Sequence, residues 1–167
     1  MRAVFVICQP DVGAPGVAEA SGAFAQRAAH AGVRRLVLLS ARGEDLAAPT
    51  ERALRRADVE WTVPRTSWFF RNSSEGVFLP FVLGGELPFP ADGVREPFID
   101  AEDADDAADA AVAALTGEGH HGRVHDLTGP RLLTFGETTR QVAEASGLRG
   151  KRRESRGLPR GSTGCIV

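Results

Sequence analysis

The chain has 167 residues, 43% of them hydrophobic and 25% charged, enough for one ordinary domain with a core of its own. Two cysteines (Cys8 and Cys165) argue against a disulfide framework, and the longest apolar runs fall far short of a membrane span. The net charge of −2 is uneven: residues 149–167 hold six basic residues and one acid, leaving 14 basic against 21 acidic residues over 1–148, a body that would repel nucleic acid.

In chain order, Ala3–Cys8 (AVFVIC) is a continuous apolar, β-branched run and predicts a strand buried on both faces. Val17–Ala31 is Ala-rich and predicts a helix that Gly32 stops. Arg35–Ser40 (RLVLLS) predicts a second buried strand, Pro49–Ala57 a short helix with proline in its first turn, and Glu60–Val63 a third strand. Ser67–Leu83 is aromatic-rich and is expected to be helical. Strands separated by helices imply βαβ units, right-handed crossovers and a parallel sheet. Past residue 84 comes a loop with short extended pieces. It leads to a helix at Glu102–Leu115 with acids in its first turns, a strand at Arg123–Leu127, and a helix at Thr134–Ser146 opened by the T-x-x-E capping box. The basic tail, 149–167, is nearly devoid of apolar residues and is expected to be disordered.

Several motifs invite a chemical reading. The turn after the first strand carries Gly13-x-x-Gly16, but no G-x-G. Pro10 and Pro15 remove N–H donors from it, and Asp11 places a negative charge where a phosphate would sit. A phosphate-binding loop is therefore not expected there. The acids Glu102, Asp103, Asp105, Asp106 and Asp109 lack the spacing of a calcium loop and read as a solvated helix face. His120, His121 and His125 read as a surface turn, and no metal site is expected.

The strings VRRLVLLSARGED, ERAL, EWTVPRTSWFFRNSSE, GGELPFPA, EPFIDAEDA and GRVHDLTGPRLLTFGE, in that order, resemble the NmrA-like, atypical short-chain dehydrogenase/reductase proteins. The likeness runs from residue 3 to about 148 and rests on Arg65-x-Ser67-Trp68-Phe69-x-x-Asn72, on Pro97–Asp100 and on Leu127–Glu137. It implies an α/β fold, a Rossmann-like parallel sheet with helices on both faces and a small C-terminal substrate lobe, present here as the second half only. Residues 1–148 would be a partial NAD(P)-binding domain whose first strand matches the family's fourth. The family's glycine loop would then be missing, and the change in composition near residue 149 would mark an altered C-terminus. The resemblance assigns Gln9, Pro10, Ser40 and Arg65 to cofactor binding and Trp68, Phe69 and Asn72 to substrate binding. Some of these have a plainer alternative: Ser40 as a serine closing a strand, the aromatics as core, Asn72 as a helix or capping residue. Pro64 and Ser73 depart from the family's usual residues.

No catalytic residue is assigned. The chain has no tyrosine, and its single lysine is Lys151, which excludes a Tyr-x-x-x-Lys pair within these residues. Two functional readings stand. One is an NAD(P)H-dependent oxidoreductase or redox sensor with NAD(P) as cofactor, an unnamed small-molecule substrate, and cofactor binding impaired by the missing loop. The other is a non-enzymatic module, or a product without function, whose exposed strand edge takes a partner or a second copy. Cytoplasmic location is expected, with no nucleic-acid and no membrane partner.

Overall fold

The computed structural model describes residues 3–9, 11–76, 78–84, 95–96 and 103–147. The tail at 149–167, Pro10, and most of the segment from 85 to 102 lie outside the described residues, and with them the expectations placed there.

Four parallel strands form the main sheet. The run AVFV forms β1 (Ala3–Val6), which pairs with β2 (Arg35–Leu38). β2 and the short β3 (Ser40–Ala41) lie along one edge of β4 (Glu60–Thr66), and β6 (Arg123–Leu127) takes the other edge. The register along β2 and β3 is constant, Arg35 to Glu60 through Ala41 to Thr66, so the two are one strand interrupted at Leu39. The interruption has a chemical cause. Leu39 lies level with Pro64, a proline buried within the central strand, which has no N–H to give to the ladder. Leu39 instead donates its own N–H to the Val6 carbonyl of β1 at 3.0 Å.

α1 (Val17–His30) and α2 (Ala48–Arg55) pack together over one face, where Ala25, Ala28, Leu54 and Ala57 meet Leu36, Leu38 and Val63. Gly22 allows this approach: a Cβ there would sit 3.3 Å from that of Ala53. Alternation along β2 turns Val37, also fully buried, to the other face. α4 (Asp103–Thr116) covers that face, touching β1, β2 and β4 and burying Ala107, Ala111 and Ala114. Helices thus cover both faces. The sheet advances in one direction, β1 to β2 to β4 to β6, so the connection through α4 has the opposite hand from those through α1 and α2. This corrects the expectation of uniformly right-handed crossovers. The tight-crossover rule does not govern it, because the chain passes through a second, smaller lobe before returning.

That lobe also departs from expectation. Residues 67–83 are not one helix but a 3₁₀ turn at Phe70–Ser73 and a short α3 (Leu79–Leu83). Pro80 explains the break, since in a continuous helix its ring would strike the Gly76 carbonyl. Gly76 itself is packed on Asn72, where a Cβ would lie 2.8 Å from the Asn72 Oδ1. β5 (Arg95–Glu96) pairs antiparallel with β7 (Leu133–Thr134), which leads into α5 (Phe135–Ala145). The capping box at Thr134 forms in full: the Thr134 N–H donates to Glu137 Oε2 at 2.8 Å, and the Glu137 N–H donates to Thr134 Oγ1 at 3.0 Å.

Candidate functional site

In open parallel sheets ligands bind outside the carboxyl ends of the strands. Here that rim is built by Gln9 after β1, by β3, by the end of β4 and by Asp126 of β6. Gln9 is exposed on it. The turn that follows is organised by its own side chains: the Gly13 N–H donates to the Asp11 carboxylate, and Thr50 Oγ1 donates to the Val12 carbonyl at 2.7 Å. One N–H that a phosphate loop would offer is thus already taken by an internal carboxylate. Gly16, at φ 83°, supplies the left-handed residue that opens α1.

Ser40 and Arg65 are brought together, and the residue that joins them is one the sequence reading did not single out. Glu51, on α2, is 2% exposed. Its Oε1 accepts from Ser40 Oγ at 2.7 Å and from Arg65 Nε at 2.8 Å; its Oε2 accepts from Arg65 Nη2 and Arg55 Nη2, each at 2.7 Å. Burial pushes the Glu51 carboxyl toward its neutral form. The hydrogen bonds from Arg65 and Ser40, with the charges of Arg65 and Arg55, outweigh that and hold its pKa below the ordinary value. Arg65 in turn is held more firmly protonated by Glu51, with a smaller contribution from Asp126. Ser40 is 3% exposed and spends its hydroxyl proton inside this cluster, whereas the Arg65 side chain is 34% exposed. A signal for Glu51 existed: the E-x-x-x-R of Glu51 and Arg55 on a short helix between two strands that end in Ser40 and Arg65.

The residues expected on the substrate side fall in the smaller lobe. Trp68 stacks on Phe78 (ring centroids 6.0 Å apart, planes at 23°) and meets Phe135 edge-on at 5.6 Å. Phe78 and Phe135 are buried, so Trp68 joins the chain leaving β4 to α5 through an aromatic core. Phe69, half-buried, precedes the 3₁₀ turn. Asn72 lies in that turn, its carbonyl accepting from the Phe78 N–H at 2.9 Å.

Two further features sit away from the rim. Gly117-Glu118-Gly119-His120-His121-Gly122 has the letters G-x-G-x-x-G, unnoticed in the sequence reading, but it follows helix α4 and enters strand β6. A dinucleotide loop needs the reverse order, strand then helix, to aim a helix N-terminus at the pyrophosphate. His120 Nδ1 lies 3.3 Å from His125 Nε2, and His121 Nδ1 accepts from the Trp61 N–H. Among the described residues no group of three or more potential metal ligands comes together, and no helix is long and apolar enough to cross a membrane.

No protein-family model matches the chain. Agroclavine dehydrogenase of Claviceps fusiformis is 32% identical over 142 residues, covering 74% of this chain and 45% of that protein. A (4-alkanoyl-5-oxo-2,5-dihydrofuran-3-yl)methyl phosphate reductase of Streptomyces griseus is 35% identical over 137 residues, covering 74% of this chain and 46% of that protein. The chain spans about half the length of the curated relatives it matches. Among solved structures, triphenylmethane reductase of Citrobacter sp. complexed with NADP(H) superposes with a TM-score of 0.61 at 18% identity, covering 89% of this chain and 54% of that one. A UDP-glucuronic acid 4-epimerase from Bacillus cereus in complex with NAD reaches 0.65 at 11% identity, covering 92% and 62%. At such identities the structural likeness shows the fold alone.

Proposed function

Because this chain belongs to the NmrA-like, atypical short-chain dehydrogenase/reductase relatives of NAD(P)-binding Rossmann proteins, we propose that it serves an NAD(P)H-dependent reductase or redox sensor. The observation that carries this reading is the meeting of Ser40 and Arg65 at the carboxyl rim of a parallel sheet. Its two curated relatives, a dehydrogenase and a reductase, support it. The nicotinamide would supply the hydride. The roles of this chain's residues are to orient the ligand: Arg65 by its half-exposed guanidinium, Gln9 by a side chain on the same rim, and Ser40 by fixing the strand end. Trp68, Phe69 and Asn72 would bind on the substrate side. Within these 167 residues no Tyr-x-x-x-Lys pair exists, so none of this chain's residues supplies the accompanying proton in that way.

Cofactor binding by these residues alone is weak in this reading, because no G-x-G-x-x-G follows a strand and opens a helix. Cytoplasmic residence accompanies it, since reduced nicotinamide cofactors are supplied there. Titration with NADPH and NADH, read by cofactor fluorescence and thermal shift together, is the test. Saturable binding that raises the melting temperature supports the reading; no binding up to millimolar cofactor, with the fold intact, sinks it.

A second reading is favoured by one observation. β1 has no partner on its outer edge among the described residues, and Ile7 at its end is 56% exposed, as Phe24 of α1 is 43% exposed. An uncovered edge strand recruits another strand, so we also propose pairing there with a second copy or with a partner protein. Sedimentation across a hundredfold dilution tests the homotypic form: a constant monomer mass rejects it.

A further inference from the structure

One buried carboxylate gathers donors from three elements. Ser40 comes from β3, Arg65 from β4 and Arg55 from the next turn of α2 itself, and together they place four hydrogen bonds on the two oxygens of Glu51. The cluster holds two guanidiniums against one carboxylate, an excess of one positive charge. The neighbouring Asp126 pairs with Arg42 Nε at 3.8 Å and also acts on Arg65, offsetting part of that excess. Of the two arginines, Arg55 lies over the Trp61 ring at 4.7 Å, while Arg65 stands near the carboxyl end of β4 with its side chain partly open.

The manner of bonding matters as much as the charge. Glu51 takes Nε and Nη2 of Arg65, one whole edge of the guanidinium plane. A planar group held along one edge has its orientation set, so the Nη1 donors on the opposite edge are fixed in direction before any ligand arrives. We propose that Glu51 is a positioning residue for an anion site: it aims the Nη1 edge of Arg65 at a phosphate or carboxylate oxygen bound outside the carboxyl ends of β3 and β4. The inference deepens the functional reading above and rests on a ligand lying at that rim. It adds the chemistry of the ligand group recognised and the residue that prepares the recognition. Lysine at position 65 would keep the charge and lose the orientation.

The test uses the full chain and two probes, NADPH and inorganic pyrophosphate. A proton–nitrogen correlation spectrum should show a slowly exchanging Arg65 Nε–H signal, assigned by its disappearance in Arg65→Lys. Its absence from the unaltered protein overturns the proposal whether or not any cofactor binds. Both probes should move this signal. Pyrophosphate moving it while NADPH does not leaves the anion site standing and sinks the cofactor reading; neither moving it overturns the anion site.

A double-mutant cycle then separates positioning from plain structural support. Glu51→Gln should weaken probe binding by about tenfold, the lower end of what losing an orienting partner costs at metal sites. In an Arg65→Gln background it should weaken binding no further, although it still lowers the melting temperature. An equal loss in both backgrounds would mean that Glu51 acts through the fold, and the proposal would fall. Should Glu51→Gln not fold, Arg65→Lys carries the same decision: unchanged affinity overturns the positioning claim.

Discussion

Glu51 is the side chain on which most depends, because it is a charge removed from water and repaid only by its partners. Replacing it with glutamine leaves one acceptor and turns an amide N–H₂ toward two guanidiniums. Breaking a fully buried pair costs about 3–5 kcal/mol. Arg55 and Arg65 are 29% and 34% exposed at the side chain and recover some hydration, so a loss of about 2–4 kcal/mol in denaturant unfolding is expected. The acid response follows from the lowered pKa of Glu51. Its contribution is complete above the unfolded-state value, roughly 4.3. As pH falls below that, the unfolded chain takes up the proton first and stability declines until the folded pKa is passed. Glu51→Gln should flatten this part of the stability–pH curve, and an unchanged slope would contradict the role. Thr134 offers a milder case: Thr134→Ala removes the hydroxyl half of the capping box of α5 and should cost about 1 kcal/mol.

Two element contacts decide how helices and strands lie against one another. Gly22 lets α1 settle on α2 at Ala53. Gly22→Leu must push the helices apart or distort a rotamer, at a cost of about 1–3 kcal/mol in the melting transition despite leucine's better helix propensity. Trp68, between Phe78 and Phe135, ties the strand-to-lobe connection to α5. Trp68→Ala should cost about 3 kcal/mol and remove most of the near-ultraviolet dichroism of this aromatic cluster. A full signal in the variant would mean that the lobe is held by other contacts. Between β2 and β3 the cause is again a single residue, since the buried Pro64 interrupts the ladder level with Leu39.

For the molecule, the consequence is a sheet with a strong centre and weak margins. β2 and β4 are each paired on both sides, and Leu36, Val37, Leu38 and Val63 are fully buried. β1 is only half-buried throughout. In hydrogen exchange, the amides of β2 and β4 should therefore open last and those of β1 earlier. Equal protection in β1 would indicate that its outer edge is covered in solution, in line with pairing there. The carboxyl rim joins the two lobes: β4 passes from Arg65 directly into Trp68, so the cation and the aromatic core are three residues apart.

Much of this was legible in the chain. The runs AVFV and RLVL read as strands because both are continuously apolar or β-branched, as a parallel strand covered on two faces tends to be; RLVL is buried so, whereas AVFV, at the edge of the sheet, is only half-buried. α5 announced itself through a capping box whose two bonds are local. The family, with its α/β fold, could be read from strings such as Arg65–Asn72, and two curated relatives agree. What lay beyond the sequence are relations between residues far apart in it. Glu51 meeting Ser40 and Arg65, Pro64 level with Leu39, and α4 crossing to the opposite face all depend on register and packing. The helix expected over 67–83 failed for a related reason: its apolar content suited a helix, but Gly76 and Pro80 divide it, and Trp68 is held instead by Phe135, 67 residues along the chain. A side chain's type is written in the sequence; its partner is set by which strands and helices the core draws together.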